Sequence, residues 1–239
     1  MTMKPKMILF DYGQTLIVEP QFDWMAGNRA LLAHTTLPEG ITEEEFCHLS
    51  DSLFQKIVTP LHANNREFEH VKFLRLLCDT VGITLDIPLE EADLLYWDNA
   101  THGSHASVGA EDFLRYLQEN GIRTGVISNM CYANSALRTR IDRYLPHHNF
   151  ECILTSSDYI LRKPEPLLFE VACKQANLSP SEIWYVGDNP QADVLGASGA
   201  GMRPVLYTGA HMRTYDVLPR LRFDIVDSFS ELQELVEKA

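Results

Sequence analysis

Short apolar runs that end in small or polar residues recur along the chain: KMILFD, RTGVISN, ECILTSSD, IWYVGDN and RPVLYTG. Each has the length of a strand buried on both faces, as in a parallel sheet. Most are followed by segments with helical spacing. In GAEDFLRYLQENG, Phe113, Leu114 and Leu117 fall on one helical face and Asn120-Gly121 supplies the stop. PEPLLFEVACKQANL has the same character ahead of IWYVGDN, and a short strand FDIVD with the helix SFSELQELVEKA closes the chain. Strands alternating with helices imply right-handed crossovers and an α/β fold with a doubly wound, Rossmann-like parallel sheet.

This rhythm breaks between residues 17 and 104, where the pattern is helical throughout. The candidate helices are FDWMAGNRALLAHT, TEEEFCHLSDSLFQKIV, REFEHVKFLRLLCDTVG and PLEEADLLYWDNA. Thr42 followed by Glu45 has the form of a capping box opening the second. A block of this kind between the first and second strands predicts an inserted all-helical cap domain at 17–104. The α/β core is then made of residues 1–16 and 105–239.

A chain of 239 residues suits one large domain or a domain with a sizeable insertion, and 45% hydrophobic with 22% charged content is that of a soluble globular protein. The net charge of −13 speaks against a nucleic-acid partner, because phosphate neutralisation needs clustered Lys and Arg. Five scattered cysteines (Cys47, Cys78, Cys131, Cys152 and Cys173) form no Cys-x-x-Cys pair and read as small buried hydrophobes in a reducing compartment. The start, MTMKPK, leads into a short apolar stretch, and no run approaches the ~18 apolar residues of a membrane span. The expectation is a cytoplasmic protein without a membrane partner. Its oligomeric state is left open.

Ligands of open α/β sheets bind outside the carboxyl ends of the strands. Those ends carry Asp11, Ser128-Asn129, Ser156-Ser157-Asp158 and Gly187-Asp188-Asn189, joined by Lys163 in the loop LRKPEP. Singly, each has an ordinary structural reading as a turn Asp, a helix-capping Ser or a solvated Lys. Together they place carboxylates, hydroxyls and an ammonium along one edge.

In order and spacing, these residues resemble the haloacid dehalogenase-like hydrolase superfamily. The matching motifs are FDYGQTL from Phe10, VISN from Val126, KPEP from Lys163 and VGDNPQAD from Val186, followed by the small-residue run ASGAGM. The resemblance implies a phosphatase in which Asp11 attacks phosphorus and forms an aspartyl-phosphate. It implies Mg²⁺ held by Asp11, Asp188, Asp193 and the Gly13 carbonyl, all hard oxygen donors. Ser128, Asn129 and Lys163 would hold the phosphoryl oxygens of a small phosphorylated substrate, with Lys163 countering charge shared with Asp11.

One position departs from the pattern. Phosphatases of the superfamily carry an acid–base Asp two residues after the nucleophile, where this chain has Gly13. Such a group contributes roughly 10²–10⁴-fold in rate. Tyr12 and Gln14 occupy neighbouring positions aimed elsewhere. Three readings follow: a phosphatase with another proton source or a good leaving group, a member with different chemistry, or a catalytically weak phosphate-binding protein. Dehalogenase chemistry needs no metal, yet both Asp188 and Asp193 are kept. Phosphonate cleavage needs a cap lysine, for which only Lys56 and Lys72 are candidates by type.

Candidate substrate-reading residues in the cap are Trp24, Asn28 and Arg29 near its start, and Asn64, Asn65, Arg66, His70 and Lys72 in and before its third helix. Arg66 and Lys72 also fit a solvated helix face. His102 and His105 lack a third ligand for a transition metal, and His147-His148 reads as a surface loop.

Overall fold

The computed structural model describes residues 4–210 and 219–239, so the first three residues of the MTMKPK segment lie outside the described residues. In chain order the strands are β1 (Met7–Phe10), β2 (Ile17–Val18), β3 (His105–Ala106), β4 (Arg123–Ser128), β5 (Phe150–Thr155), β6 (Ile183–Gly187), β7 (Arg203–Tyr207) and β8 (Asp224–Val226). Six of them form one parallel sheet in the order β5-β4-β1-β6-β7-β8. This is the doubly wound α/β sheet that the alternating pattern predicts.

Four helices lie between β2 and β3: α1 (Trp24–Leu32), α2 (Glu43–Ala63), α3 (His70–Val81) and α4 (Leu89–Ala100). The remainder are α5 (Ala110–Glu119), α6 (Asn134–Tyr144), α7 (Ser156–Tyr159), α8 (Pro166–Ala176), α9 (Leu195–Gly199) and α10 (Phe229–Glu237).

The alternation of side chains along β1 supplies both faces of the core. Ile8 and Phe10 join one apolar cluster with residues of α5, α6 and α10, while Met7 and Leu9 join the opposite cluster with α8 and α9. The predicted face of α5 is the buried one: Phe113, Leu114 and Leu117 all enter the first cluster. The helical insertion has an apolar cluster of its own, built on Phe46, Val58, Phe73 and Leu77.

Local chemistry explains most of the insertion. The capping box on α2 is formed, with Thr42 and Glu45 each accepting from the other's backbone N–H. Where the structure departs from the pattern, tertiary contacts decide. Helix α3 begins at His70 rather than at Arg66, because residues 65–67 are drawn out against the loop before Lys163. Glu67 N–H donates to Ile160 O at 2.9 Å, and Arg162 N–H donates to Asn65 O at 3.0 Å. Arg66 is therefore on an extended bridge opposite Leu161 and not on a helix face.

The strand-free expectation for residues 17–104 also misses β2, which pairs antiparallel with β3 through Ile17–Ala106 and Val18–His105. The chain thus leaves and re-enters the core side by side. His148 is not a free surface residue: it stacks on Phe150 at 4.7 Å and sits 2.9 Å from Asp142 Oδ1.

Arg140 on α6 ties the insertion to the core. Its side chain is fully buried, and it donates to Asp98 Oδ1 at 2.7 Å, Glu19 Oε1 at 3.1 Å, Ser104 Oγ at 2.9 Å and the Tyr12 hydroxyl at 3.1 Å. Its guanidinium lies 4.2 Å from the Trp97 ring centroid. Removing one member of such a buried network strands the others. We therefore expect Arg140→Ala to lower unfolding stability by roughly 3–5 kcal/mol in urea titration. A loss under about 1 kcal/mol would mean that the network does not hold the insertion in place.

Candidate active site

Strands β4, β1 and β6 lie side by side, so their carboxyl ends bring Ser128, Asp11 and Asp188 to one edge. The Asp11 N–H still donates to Val186 O at 2.9 Å, which holds the residue in register after β1 ends. Asp193 arrives from the wide helical turn Pro190–Val194, whose N-terminus is capped by Asn189 through the N–H groups of Gln191 and Ala192. The Asn189 N–H in turn donates to Asp193 Oδ2 at 2.8 Å. Gly187 is required for this approach, because a Cβ there would overlap the Asp193 carboxylate.

Lys163 lies at the centre of the cluster. Its Nζ is 2.6 Å from Asp11 Oδ1, 2.7 Å from Asp193 Oδ1, 2.7 Å from the Tyr185 hydroxyl and 3.0 Å from Ile127 O. The Tyr185 hydroxyl passes its own proton to Ile127 O at 2.8 Å, which leaves its lone pairs to the ammonium. Burial works against the charge on Lys163, but the carboxylates of Asp11 and Asp193 outweigh it and hold its pKa above the usual value.

Asp11, Asp188 and Asp193 can bring one oxygen each within 4.8 Å of the others, at 8%, 3% and 1% exposure. Burial pushes the Asp11 carboxyl up, with Lys163 opposing and Asp193 adding to the rise. Three buried carboxylates against one ammonium leave excess negative charge. An all-oxygen donor set of that charge fits a hard divalent cation. Among the described residues no comparable cluster includes His102 or His105.

A cleft of about 260 Å³ opens over these groups, bordered by Asp11, Gly13, Ser128, Lys163, Asp188 and Asp193. Asn129 borders it as well, but its side-chain amide is engaged at both ends with the Lys163 backbone, at 2.7 and 3.0 Å. This amide thus positions the lysine loop, which leaves Asn129 its backbone N–H to offer to the cleft.

Three residues that sequence reasoning missed belong to the same place. Tyr185 orients Lys163 yet reads in sequence as one more buried strand residue. Arg162 borders the cleft and pairs with Glu67. Glu19 borders it too, and its Oε2 lies 3.4 Å from where a Cβ on Gly13 would be. Its other oxygen accepts from Trp97 Nε1 at 3.0 Å and from Arg140. Burial pushes the Glu19 pKa up to about 7, with Arg140 and Trp97 opposing and Asp11 adding to the rise. Nothing in the local pattern VEPQ marks Glu19, since only the pairing of β2 with β3 and the fold of the loop bring it to Gly13.

The tentative cap residues separate. Trp24 lines a second, aromatic cavity. Arg29 pairs with Glu43 at 2.7 Å on the surface, Arg66 is exposed, and neither borders either cavity. Lys56 and Lys72 do not border the cleft, and Lys72 is paired with Glu69 at 2.6 Å.

A sequence model of the haloacid dehalogenase-like hydrolase family matches residues 5–201, the stretch that holds every one of these groups. The chain belongs to this hydrolase family. Phosphoserine phosphatase of Thermus thermophilus is 35% identical over 96 residues, covering 40% of this chain and 38% of that protein. Glyceraldehyde 3-phosphate phosphatase of Pyrococcus furiosus is 30% identical over 132 residues, covering 54% and 52%. The chain thus spans between about two fifths and half of the length of these curated relatives. The crystal structure of 2-haloacid dehalogenase from Pseudomonas syringae pv. Tomato shares the fold, with a TM-score of 0.65 and 22% identity over 98% of this chain and 99% of that one.

The close approach at Gly187 gives a direct test of the carboxylate cluster. Gly187→Ala should displace Asp193 and with it Lys163, so that turnover falls at least tenfold while the protein remains folded by circular dichroism. An alanine variant with full activity would show that the seat of Asp193 does not matter to the site.

Proposed function

We propose that this hydrolase is a Mg²⁺-dependent phosphatase that cleaves a small phosphorylated metabolite through an aspartyl-phosphate on Asp11. In this reading Glu19 does the acid–base chemistry for which Gly13 has no side chain. The observation that carries it is the Glu19 carboxylate against Gly13, inside the cleft that holds Asp11 and Lys163. The phosphatase names of the curated relatives support the reaction class. Residues 17–104 act as the cap, closing water out of the site, with 1–16 and 105–239 as the catalytic core. Five free cysteines suit a reducing, cytoplasmic setting.

Asp11, Asp188 and the Gly13 carbonyl would hold Mg²⁺, with Asp193 beside them. When bound, the ion neutralises charge on the phosphoryl oxygens. Lys163 holds one Asp11 oxygen, orients the carboxylate for attack on phosphorus and opposes the protonation that burial favours. Ser128 donates a hydrogen bond to a phosphoryl oxygen. As the ester bond breaks, protonated Glu19 gives its proton to the departing alkoxide. The resulting carboxylate then takes a proton from the water that attacks the aspartyl-phosphate. A pKa of about 7 suits both tasks near neutrality.

The competing chemistries are less well supported. Phosphonate cleavage would need a lysine in the cleft besides Lys163, and neither Lys56 nor Lys72 borders it. Halide displacement would leave the carboxylate cluster without a task.

Hydrolysis of acyl, aryl and alkyl phosphates, each with Mg²⁺ and with chelator, tests the assignment. Asp11→Asn should abolish all metal-dependent turnover, and residual activity near wild type would remove Asp11 as nucleophile. Glu19→Gln should lower the alkyl-ester rate by roughly 10²–10⁴-fold and the acyl-phosphate rate far less. Equal losses on both would assign Glu19 a structural part only.

The pH profile carries the same information. A general acid works while protonated, so wild-type alkyl-ester hydrolysis, limited by the first transfer, should fall as pH rises through about 7. That limb should be missing for acyl phosphates and in Glu19→Gln. Gly13→Asp alone would crowd Glu19, whereas Gly13→Asp combined with Glu19→Ala should recover alkyl-ester turnover over Glu19→Ala.

A further inference from the structure

A second cavity of about 350 Å³ lies beside the catalytic cleft and takes no part in the chemistry described above. Phe22, Trp24 and Phe54 stand at its mouth, and Phe68, Phe73 and Tyr96 line it deeper in. Tyr132 forms part of the wall and stacks face to face on Trp97 at 4.5 Å, and Trp97 in turn donates to Glu19. The wall of this cavity is therefore continuous with the residue that fixes Glu19.

One loop joins the two spaces. Asn129 and Met130 border the catalytic cleft, and Cys131 and Tyr132, next in the chain, border the aromatic cavity. With 3.8 Å between consecutive Cα atoms, Asn129 and Cys131 are within about 7.6 Å of each other. Extended, two or three atoms between an ester oxygen and a ring put the phosphorus roughly 6–8 Å from the ring centre, a matching distance.

The cavity also holds one placed polar group. His70 Nδ1 lies 2.8 Å from Asp93 Oδ1, and Asp93 Oδ2 accepts from the Ala133 N–H. Both carboxylate oxygens act as acceptors, so the hydrogen of the first contact belongs to His70 Nδ1. In the neutral ring, Nε2 is then left as an acceptor on the cavity side, and no described residue bonds to it.

From these observations, and resting on the phosphatase reading above, we propose that the aromatic cavity selects the leaving group of the substrate. The substrate class is a phosphate monoester whose alcohol carries an uncharged, ring-sized apolar group two or three atoms from the ester oxygen. Volume and lining set the size and polarity, since offset and edge-on ring contacts reward an aromatic occupant beyond its buried area. A hydroxyl or N–H on the ring would donate to His70 Nε2. Aromatic boxes also take quaternary ammonium groups. Here the one carboxylate available, Asp51, is exposed at the rim, and Asp93 is already engaged, which favours a neutral occupant.

Three primary alkyl esters with comparable leaving groups test this on the full-length protein with Mg²⁺: 2-phenylethyl phosphate, glycerol phosphate and choline phosphate. Wild type should prefer the phenylethyl ester over the glycerol ester by at least tenfold in kcat/KM. Trp24→Ala and Phe54→Ala, both of residues 36% exposed at the rim, should each shrink that ratio toward one. A ratio near one in wild type, an unchanged ratio in both variants, or a preference for choline phosphate would overturn the proposal.

Binding is read separately from turnover. 2-Phenylethanol should raise the melting temperature of wild type more than an equal concentration of glycerol, and the difference should shrink in both variants. If no ester is hydrolysed yet this shift is present, the phosphatase reading fails and the aromatic site stands. If the esters are hydrolysed without discrimination and the shift is absent, the aromatic site fails alone.

Discussion

The arrangement of the site depends on keeping one ammonium group protonated in a buried place. Lys163 is surrounded by two carboxylates, a phenol and a carbonyl, and burial alone would disfavour its charge. The carboxylates reverse that tendency, so each partner is a condition for the charge of the others. Several local choices in the sequence serve this one contact. Gly187 admits Asp193, Asn129 clamps the Lys163 backbone, and Tyr185 spends its proton on Ile127 so that its lone pairs face the ammonium. Even so, the negative charge is not balanced, and that imbalance makes the cluster a fit for a divalent cation.

A second buried cation, Arg140, organises the other side of the cleft. It faces Glu19, Asp98, Ser104 and Tyr12 and lies over the Trp97 ring, so one guanidinium joins the loop after β1, the linker and α4. Lysine could not take this place. Its single ammonium lacks the planar fork that reaches four separate acceptors and the flat face that lies on an indole. Through this residue the packing of the helical insertion and the orientation of Glu19 become one problem. An insertion that shifted by an ångström would also move the carboxylate beside Gly13.

The sequence made legible what depends on local pattern. Parallel strands announce themselves as apolar runs because both faces are buried, Asp11 and Asp188 follow from their places at strand ends, and Lys163 and Asp193 stand out only through the motifs that resemble the family's. What escaped depends on contacts between distant segments. Strand β2 is two residues long, too short to show a period, and exists because β3 lies beside it. Arg66 sits within a helical pattern but pairs with Leu161 instead, since the backbone there bonds across to the core. Tyr185 looked like core and is core, yet its hydroxyl is a working part of the lysine site.

Gly13 and Glu19 are best understood together. A Cβ at position 13 would already lie 3.4 Å from Glu19 Oε2, so a full carboxylate there would compete with Glu19 for the same volume and repel its charge. The absence of a side chain at 13 is thus what allows a longer one to enter from the linker. Reaching in from the end of β2, that carboxylate comes with its own supports, Trp97 and Arg140, which an aspartate at position 13 would not have. Because those supports belong to α4 and α6, the group beside Gly13 takes its orientation from the contact between the helical insertion and the core, whereas Asp11 takes its own from the sheet.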